Sequence, residues 1–282
     1  MASATLLEQL PEDCIVQILS GVPPRLASRL SLVSTALRTA AESEQLWETF
    51  LPSDYPEILS RLVFPIRFMS KKELFVKLFS PLLIDGGHKT FCIDKESSKK
   101  CYTFSASELS IAFSGNSLYW SWKPLLGSRF PKIVELVMIC WLEIKANIST
   151  RMLSSNTIYG AYFIFKLAGR AFGLDSLPSE ISVKFGNFQS HRVVYLRKNS
   201  YTKQAMERAF MLHRVEALKS RLHPLGPESV VHERGDGWLE IELGEFYNDC
   251  DSGKEVEVSL REVKGGHLKG GLIVEGIELR PK

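Results

Sequence analysis

Between Val134 and Ile148 every even-numbered position is apolar: Val134, Leu136, Met138, Cys140, Leu142, Ile144, Ala146 and Ile148. Glu135, Glu143, Lys145 and Asn147 sit at the opposite parity. Successive side chains of a strand point to opposite faces, so this pattern predicts one long β-strand with a core face and a solvent face. Shorter stretches of the same kind recur at Tyr159–Leu167, Ile181–Phe185, Arg192–Leu196, Trp238–Phe246, Glu255–Val263 and Leu272–Leu279. Several such strands separated by turn residues predict an antiparallel, jelly-roll-like β-sandwich. The apolar parity flips between Val274 and Ile277, beside Gly276, which predicts a bulge or bend there.

The N-terminal region follows a different period. Pro11-Glu12-Asp13 reads as a first helical turn, where proline's missing N–H costs nothing and the two acids face the positive end of the helix dipole. Ile15, Ile18, Leu19 and Val22 then fall on one face. Pro23-Pro24 ends that helix and starts another carrying Leu26, Leu30, Val33 and Leu37. A third short helix holds Leu46, Trp47, Phe50 and Leu51. A fourth begins at Ser70, with Glu73 as its capping-box partner, and presents Leu74, Phe75, Leu78 and Phe79. The stretch from Leu10 to Trp47, about 40 residues, is too short to bury its apolar stripes by itself. Some of that surface must meet another protein or the rest of the chain.

Leu82-Leu83-Ile84 and Thr90-Phe91-Cys92-Ile93 flank Asp85-Gly86-Gly87-His88 and read as two short strands around a glycine turn. A polar loop, Asp94 to Lys100, follows. The expected organisation is therefore α+β and multidomain: a small helical domain over 1–52, a helical and hairpin connector over 53–99, and a β-sandwich over 100–282. A charged insertion near 198–236 interrupts the sandwich. Within it, Thr202 to Leu222 reads as a helix or a partly ordered segment with a solvated basic face.

Composition narrows the function classes. The net charge of +3, with no dominant Lys/Arg block, gives no basis for nucleic-acid or anionic-membrane binding. The five cysteines (Cys14, Cys92, Cys101, Cys140, Cys250) are odd in number and widely spaced, without a C-x-x-C pair. They fit a reducing compartment better than a disulfide framework or a zinc site. No basic and apolar leader opens the chain, and no apolar run nears the roughly 18 residues of a membrane span. A soluble protein of the cytoplasm or nucleus, without membrane insertion, is the expectation. The six histidines show no H-E-x-x-H spacing. No nucleophile elbow, phosphate loop or dinucleotide fingerprint occurs, and Gly265-Gly266-His267 and Gly270-Gly271 read as hairpin turns. These absences point away from an enzyme and from any cofactor or metal.

The run Leu10-Pro11-Glu12-Asp13-Cys14-Ile15-Val16-Gln17-Ile18-Leu19, then Pro24, then Arg29-Leu30-Ser31-Leu32-Val33-Ser34, then Glu44-Gln45-Leu46-Trp47-Glu48 resembles the F-box. F-boxes dock on the Skp-type adaptor of cullin-based ubiquitin ligases. The resemblance implies adaptor contacts at Leu10, Pro11, Ile15, Ile18, Leu19, Val33 and Trp47. Leu26 stands where relatives usually carry an acid.

A second resemblance covers residues from about 100 onward. Glu108-Leu109-Ser110-Ile111, Tyr119-Trp120-Ser121-Trp122, Cys140-Trp141, Tyr159-x-x-Tyr162, Gly237-Trp238 through Glu245-Phe246, and Gly270-Gly271 through Arg280-Pro281 are similar to the phloem-lectin (phloem protein 2-like, Nictaba-related) family. Its sugar-binding members recognise N-acetylglucosamine-containing glycans, with two tryptophans and two glutamates implicated. By local alignment these fall on Phe113, Trp120, Glu255 and Glu262. Phenylalanine at 113 is a departure that keeps an apolar face and loses the indole N–H. Two readings stand for Trp120, a sugar platform or a core aromatic beside Tyr119 and Trp122. The glutamates equally suit a solvated strand face. On an unbroken strand Glu255 and Glu262 would point to opposite faces, so they converge only if a bend separates them.

The combined expectation is a non-catalytic substrate receptor of a Skp-cullin-F-box ubiquitin ligase. Its partners would be the adaptor, through it a cullin scaffold, and a glycoprotein or protein cargo. The alternative is an F-box adaptor whose sandwich has lost sugar binding and recognises protein surfaces.

Overall fold

The computed structural model describes residues 10–197, 230–249 and 253–282. Most of the charged insertion lies outside the described residues. The chain divides into two compact units between Tyr102 and Thr103.

The first unit opens with six short helices: α1 (Glu12–Ser20), α2 (Pro24–Leu30), α3 (Thr35–Glu42), α4 (Glu44–Phe50), α5 (Tyr55–Ser60) and α6 (Lys71–Lys77). Pro11 and Pro23 sit at the starts of α1 and α2. The stripe expected to run from Leu26 to Leu37 on one helix is split. Ser34 takes an extended backbone and its hydroxyl accepts from the Leu37 amide at 3.3 Å, which restarts the helix as α3. Ser43 repeats the device between α3 and α4. At α6, Ser70 accepts from the Glu73 amide at 3.1 Å, while the Glu73 carboxylate reaches the Met69 amide rather than that of Ser70.

Ile15, Val16, Leu19, Ala40, Ala41, Leu46 and Trp47 form the core of this bundle. The Trp47 indole N–H donates to the Ala41 carbonyl at 2.8 Å. Its ring lies 5.6 Å from Phe50 and 5.4 Å from Phe75. Strands β1 (Leu82–Ile84) and β2 (Lys89–Ile93) then form the hairpin around Asp85–Gly87, where Gly86 and Gly87 adopt φ of 66° and 88°. Arg61 holds Asp85 through two parallel bonds of 2.8 Å.

Strand β3 (Lys100–Ser105) carries the chain across the unit boundary. The second unit adds β4 (Ser110–Ile111), β5 (Trp120–Lys123), β6 (Ile133–Leu136), β7 (Leu142–Ser149), β8 (Thr157–Phe172), β9 (Ser179–Phe185), β10 (Phe188–Val194), β11 (Val231–Glu233), β12 (Leu239–Asn248), β13 (Glu255–Glu262) and β14 (Gly270–Pro281). One sheet runs β14-β8-β12-β11, with β6 beside β14 and β5 beside β6; the other runs β10-β9-β13-β7-β4. All the registered pairs are antiparallel.

The single strand expected over 134–148 is two strands in two different sheets. β6 pairs with β5 and β14, whereas β7 pairs with β13 and β4. Val137 through Trp141 make the crossing, tied by the Val137 amide to the Tyr119 carbonyl and by a bridge from Ile139 to Lys269. The even-position alternation runs on through the crossing because Met138 and Cys140 are apolar, although both are exposed there.

Between the sheets, Tyr159 packs on Phe246 and Phe246 on Phe185. A register shift on β12 between Glu242 and Gly244 brings that glycine against β9. A Cβ there would lie 2.8 Å from Val183 Cγ2. At Gly276 a Cβ would meet the Phe104 carbonyl oxygen at 1.9 Å, so only glycine permits this backbone approach.

The first sheet is covered on its other face as well. Ile133, Tyr162, Ile164, Trp238 and Ile273 form a second apolar cluster, joined by Leu125 and Ala168. Trp238 donates to the Gly127 carbonyl at 3.1 Å and Arg280 stacks 3.6 Å from the Tyr162 ring centre. Beside them Arg129 donates from its backbone N–H (2.8 Å), Nε (3.1 Å) and Nη2 (2.6 Å) to Glu275, and from Nη1 to Glu278 (3.0 Å). Burial alone would raise the Glu278 carboxyl, but Arg234, Arg129 and Arg280 around it hold it below its ordinary value.

Candidate functional site

Two surfaces merit attention, one on each unit. On the helical unit the seven residues expected to meet an adaptor separate into two sets. Leu10, Pro11, Ile18 and Val33 are exposed, Val33 at 69%. Ile15, Leu19 and Trp47 are core residues with at most 2% exposure. These three are packed inside the bundle, whereas the other four are open to solvent. The physical reason is helical spacing: Ile15 and Leu19 lie on the α1 face that packs on α3 and α4, and Ile18 lies off it. The structure adds Leu26 and Leu32, the latter 79% exposed, to the open apolar set. The Leu30-x-Leu32-Val33 run held the signal for Leu32, since Ser34 as a helix cap leaves the preceding turn outside a packed stripe. Leu10, Ile18, Leu26, Leu32 and Val33 are thus apolar side chains left open on the helical unit.

On the sandwich, the four residues implicated by the sugar-binding resemblance do not converge. Trp120 is 1% exposed and its indole N–H donates to the Ala112 carbonyl at 2.9 Å. That resolves its two readings in favour of a core aromatic. Glu262 is 5% exposed, is ion-paired with buried Lys269, and accepts from the Gly265 amide at 3.1 Å. Lys269 in turn donates to the Cys140 carbonyl at 2.6 Å.

β13 runs unbroken from Glu255 to Glu262, opposite Ser149 to Leu142 of β7. The two glutamates therefore face opposite sides, as their parity requires, and no bend brings them together. The β4–β5 loop joins β7 at the other end from Glu255, through the Ala112 amide and the Glu143 carbonyl. Along β7 the separation is about six residues, or about 20 Å at a strand's rise.

Phe113 is the one member of the four that offers a ring. It is 57% exposed and lies 5.6 Å from the Tyr119 ring. Two further half-exposed rings were not singled out by the sequence: Trp122, whose N–H donates to the Ser114 carbonyl at 3.0 Å, and Trp141, whose N–H donates to Glu143 Oε2 at 3.1 Å. The Glu143 carboxyl is held below its ordinary value, chiefly by the Lys145 side chain, then by Trp141, with Arg261 nearby. The signal for Trp122 was the two-residue spacing from Trp120, which places both indoles on one face of β5. Among the described residues no cluster of His, Cys, Asp or Glu could hold a metal ion. Nor, among them, is any helix long and apolar enough to cross a membrane.

A family model for phloem protein 2 matches residues 99–281, and an F-box-like model matches residues 7–53. This chain belongs to the phloem protein 2 family and carries an F-box. Its sequence is 46% identical to "F-box protein PP2-B15" of Arabidopsis thaliana over 282 residues, covering 97% of this chain and 96% of that one. It is 43% identical to "F-box protein VBF" of the same plant over 278 residues, covering 97% and 99%. "F-box protein PP2-B13" is 43% identical over 277 residues, covering 96% and 98%. The two resemblances read from the sequence are thus correct. The open leucine-rich surface belongs to the F-box, and the loop carrying Phe113 belongs to the phloem protein 2 domain.

Proposed function

We propose that this chain is a substrate receptor of a Skp-cullin-F-box ubiquitin ligase, in which the F-box docks the adaptor and the phloem protein 2 domain binds cargo. The observation that carries the reading is the open apolar set on the F-box, Leu10, Pro11, Ile18, Leu26, Leu32 and Val33, held outside a complete core. Covering it removes apolar surface from water, at roughly 25 cal/mol per Å2. In this reading the chain leaves the transfer chemistry to other subunits. It contributes proximity, holding cargo where other subunits transfer ubiquitin. Such a complex works in the cytoplasm or nucleus, where the cysteines Cys14, Cys92, Cys101 and Cys140 stay free.

The cargo element assigned to the sandwich is an N-acetylglucosamine-containing glycan, with the exposed Phe113 ring as its contact. A second reading, recognition of a protein surface, is favoured by the burial of Trp120 and Glu262 and the distance of Glu255 from Phe113.

Co-expression with a Skp-type adaptor tests the receptor role. The Leu10→Ala, Pro11→Ala double variant should lose co-purification of the adaptor while its sandwich keeps its near-ultraviolet spectrum. Adaptor retained by that variant would remove the F-box reading.

A further inference from the structure

Cys92 and Cys101 lie on β2 and β3, neighbouring strands joined by the short polar loop that follows Ile93. A connection this short joins antiparallel strands. The Asp94 amide donates to the Lys99 carbonyl at 2.8 Å, which sets these two residues opposite each other. Counting back along both strands from that closure places Ile93 opposite Lys100, Cys92 opposite Cys101 and Phe91 opposite Tyr102. The rings of Phe91 and Tyr102, 5.2 Å apart, meet as this register requires.

Directly opposed residues of an antiparallel pair point to the same side of the sheet. Hydrogen-bonded and non-hydrogen-bonded pairs alternate. Two steps from the Asp94–Lys99 closure the cysteines again occupy a hydrogen-bonded pair, with Cα atoms about 5.5 Å apart. Disulfides span Cα separations of about 4.4–6.8 Å, so the backbone already stands at bridging distance. Both side chains are thiols in this structure. Cys101 is 7% exposed and Cys92 is half-buried. A single cysteine in such a place behaves as a small apolar side chain. Two opposed across a hairpin add a chemistry that neither has alone.

We propose that Cys92 and Cys101 form a modification site, a thiol pair that hydrogen peroxide converts to a reversible cross-strand disulfide. Cys92, the more open of the two, meets the oxidant first. Its thiolate attacks one peroxide oxygen, the O–O bond breaks, and the departing hydroxide takes up the proton of the thiol as water. The Cys101 sulfur then attacks the sulfur of the Cys92 sulfenic acid. The S–S bond forms, the S–O bond breaks, and a second water leaves with the Cys101 proton. Two thiols are oxidised and one peroxide is reduced to two waters. Exchange with a small thiol such as glutathione reverses the bond, as befits a disulfide that forms transiently in a reducing compartment. The bond would pin a hairpin on which the helical unit depends. The Ile93 amide donates to the Leu78 carbonyl at 2.8 Å, just past α6, and Phe75 of α6 packs 5.4 Å from Trp47.

The test is tryptic mapping of the full-length chain after brief treatment with hydrogen peroxide, with the remaining thiols alkylated and no reductant present. Lys95, Lys99 and Lys100 separate the two cysteines, so the disulfide joins the peptide starting at Thr90 to the peptide starting at Cys101. That linked species should be the main oxidation product, ahead of any at the exposed Cys14 and Cys140, and dithiothreitol should remove it. Cys101→Ser should stop the reaction at the Cys92 sulfenic acid, trapped by dimedone. Cys92→Ser should give neither the linked species nor a dimedone adduct on Cys101. In urea the yield of the linked species should fall at least threefold, because the strand register brings the sulfurs together.

Oxidation confined to Cys14 or Cys140, or sulfinic acid at Cys92 without the linked species, would overturn the pair. An equal yield in urea would overturn it too, since nearness in sequence would then suffice. Should a serine variant fail to fold, the wild-type yield, native against urea, decides the same point.

Discussion

In the F-box, Leu32 and Val33 stand 79% and 69% exposed, whereas in the phloem protein 2 domain the carboxylate of Glu275 is 0% exposed. The helical unit leaves apolar groups in water, and the sandwich takes charged groups out of it. Helices α1 to α4 have one inward stripe each and too few partners within the unit, so part of their apolar surface stays exposed. The sheet containing β14 has one face on the sandwich core and the other under Trp238, Leu125 and the Arg129–Glu275–Glu278 cluster, so its surface is finished. Among the described residues of the sandwich the exposed rings include Phe113 and Trp141 in loops and Trp122, Phe172, Phe188 and Tyr247 on strands. One unit leaves apolar side chains open, and the other encloses its ionic groups.

The largest effect that could break this contrast is in the buried charge cluster. Arg129→Ala would strand Glu275 without its principal donors, and a buried carboxylate left unpaired costs about 3–5 kcal/mol. Urea unfolding should show a loss of that size; a change under 1 kcal/mol would mean that water reaches Glu275 and that the sheet is open on this face.

Next in size is the F-box surface. Ile18→Ser with Val33→Ser should reduce adaptor affinity at least tenfold in a surface-binding assay. The unfolding midpoint should barely move, since both side chains are exposed and surface changes stay within about 0.5 kcal/mol each. A large fall in stability would instead place these residues in the packing of the unit.

Smaller again is the Arg61–Asp85 pair. The two Arg61 bonds, then Lys89, hold the Asp85 carboxyl at about 2, against an ordinary 3.8. Between those values the unfolded chain binds more protons than the folded one. The contribution is therefore fully present above about pH 4 and is lost as pH falls toward 2. It amounts to at most about 2 kcal/mol, and solvent screening of this partly exposed pair lowers it. Acid titration of wild type against Arg61→Ala should converge below about pH 2; parallel curves down to that pH would sink the assignment.

Much of this was legible in the residues. Pro23-Pro24, Ser70 with Glu73, the Asp85-Gly-Gly turn and the six shorter alternating runs mark elements through local chemistry that packing does not overrule. The opposite facing of Glu255 and Glu262 followed from strand parity alone. Ser34 as a cap was missed because Leu30, Val33 and Leu37 keep helical spacing across the break.

The switch of sheets at Val137–Trp141 was missed for a similar reason. No glycine or proline interrupts the alternation, and apolar Met138 and Cys140 continue it in a stretch that faces solvent. At the candidate site, sequence similarity placed an aromatic at 113 and a tryptophan at 120. Which of them is buried depends on where two indole N–H groups find carbonyls, a long-range outcome that a local alignment does not encode.

The place of β14 has a further consequence for how the chain comes to be made. This strand, formed from residues 270–281, pairs with both β6 and β8, which end at Leu136 and Phe172, far earlier in the chain. As the chain leaves the ribosome, the F-box helices can close on contacts between neighbours in sequence. β6 and β8 must wait, edges exposed, until the strand that joins them emerges. The F-box would thus fold well before the phloem protein 2 domain, and an interrupted synthesis would yield an F-box joined to an open sheet.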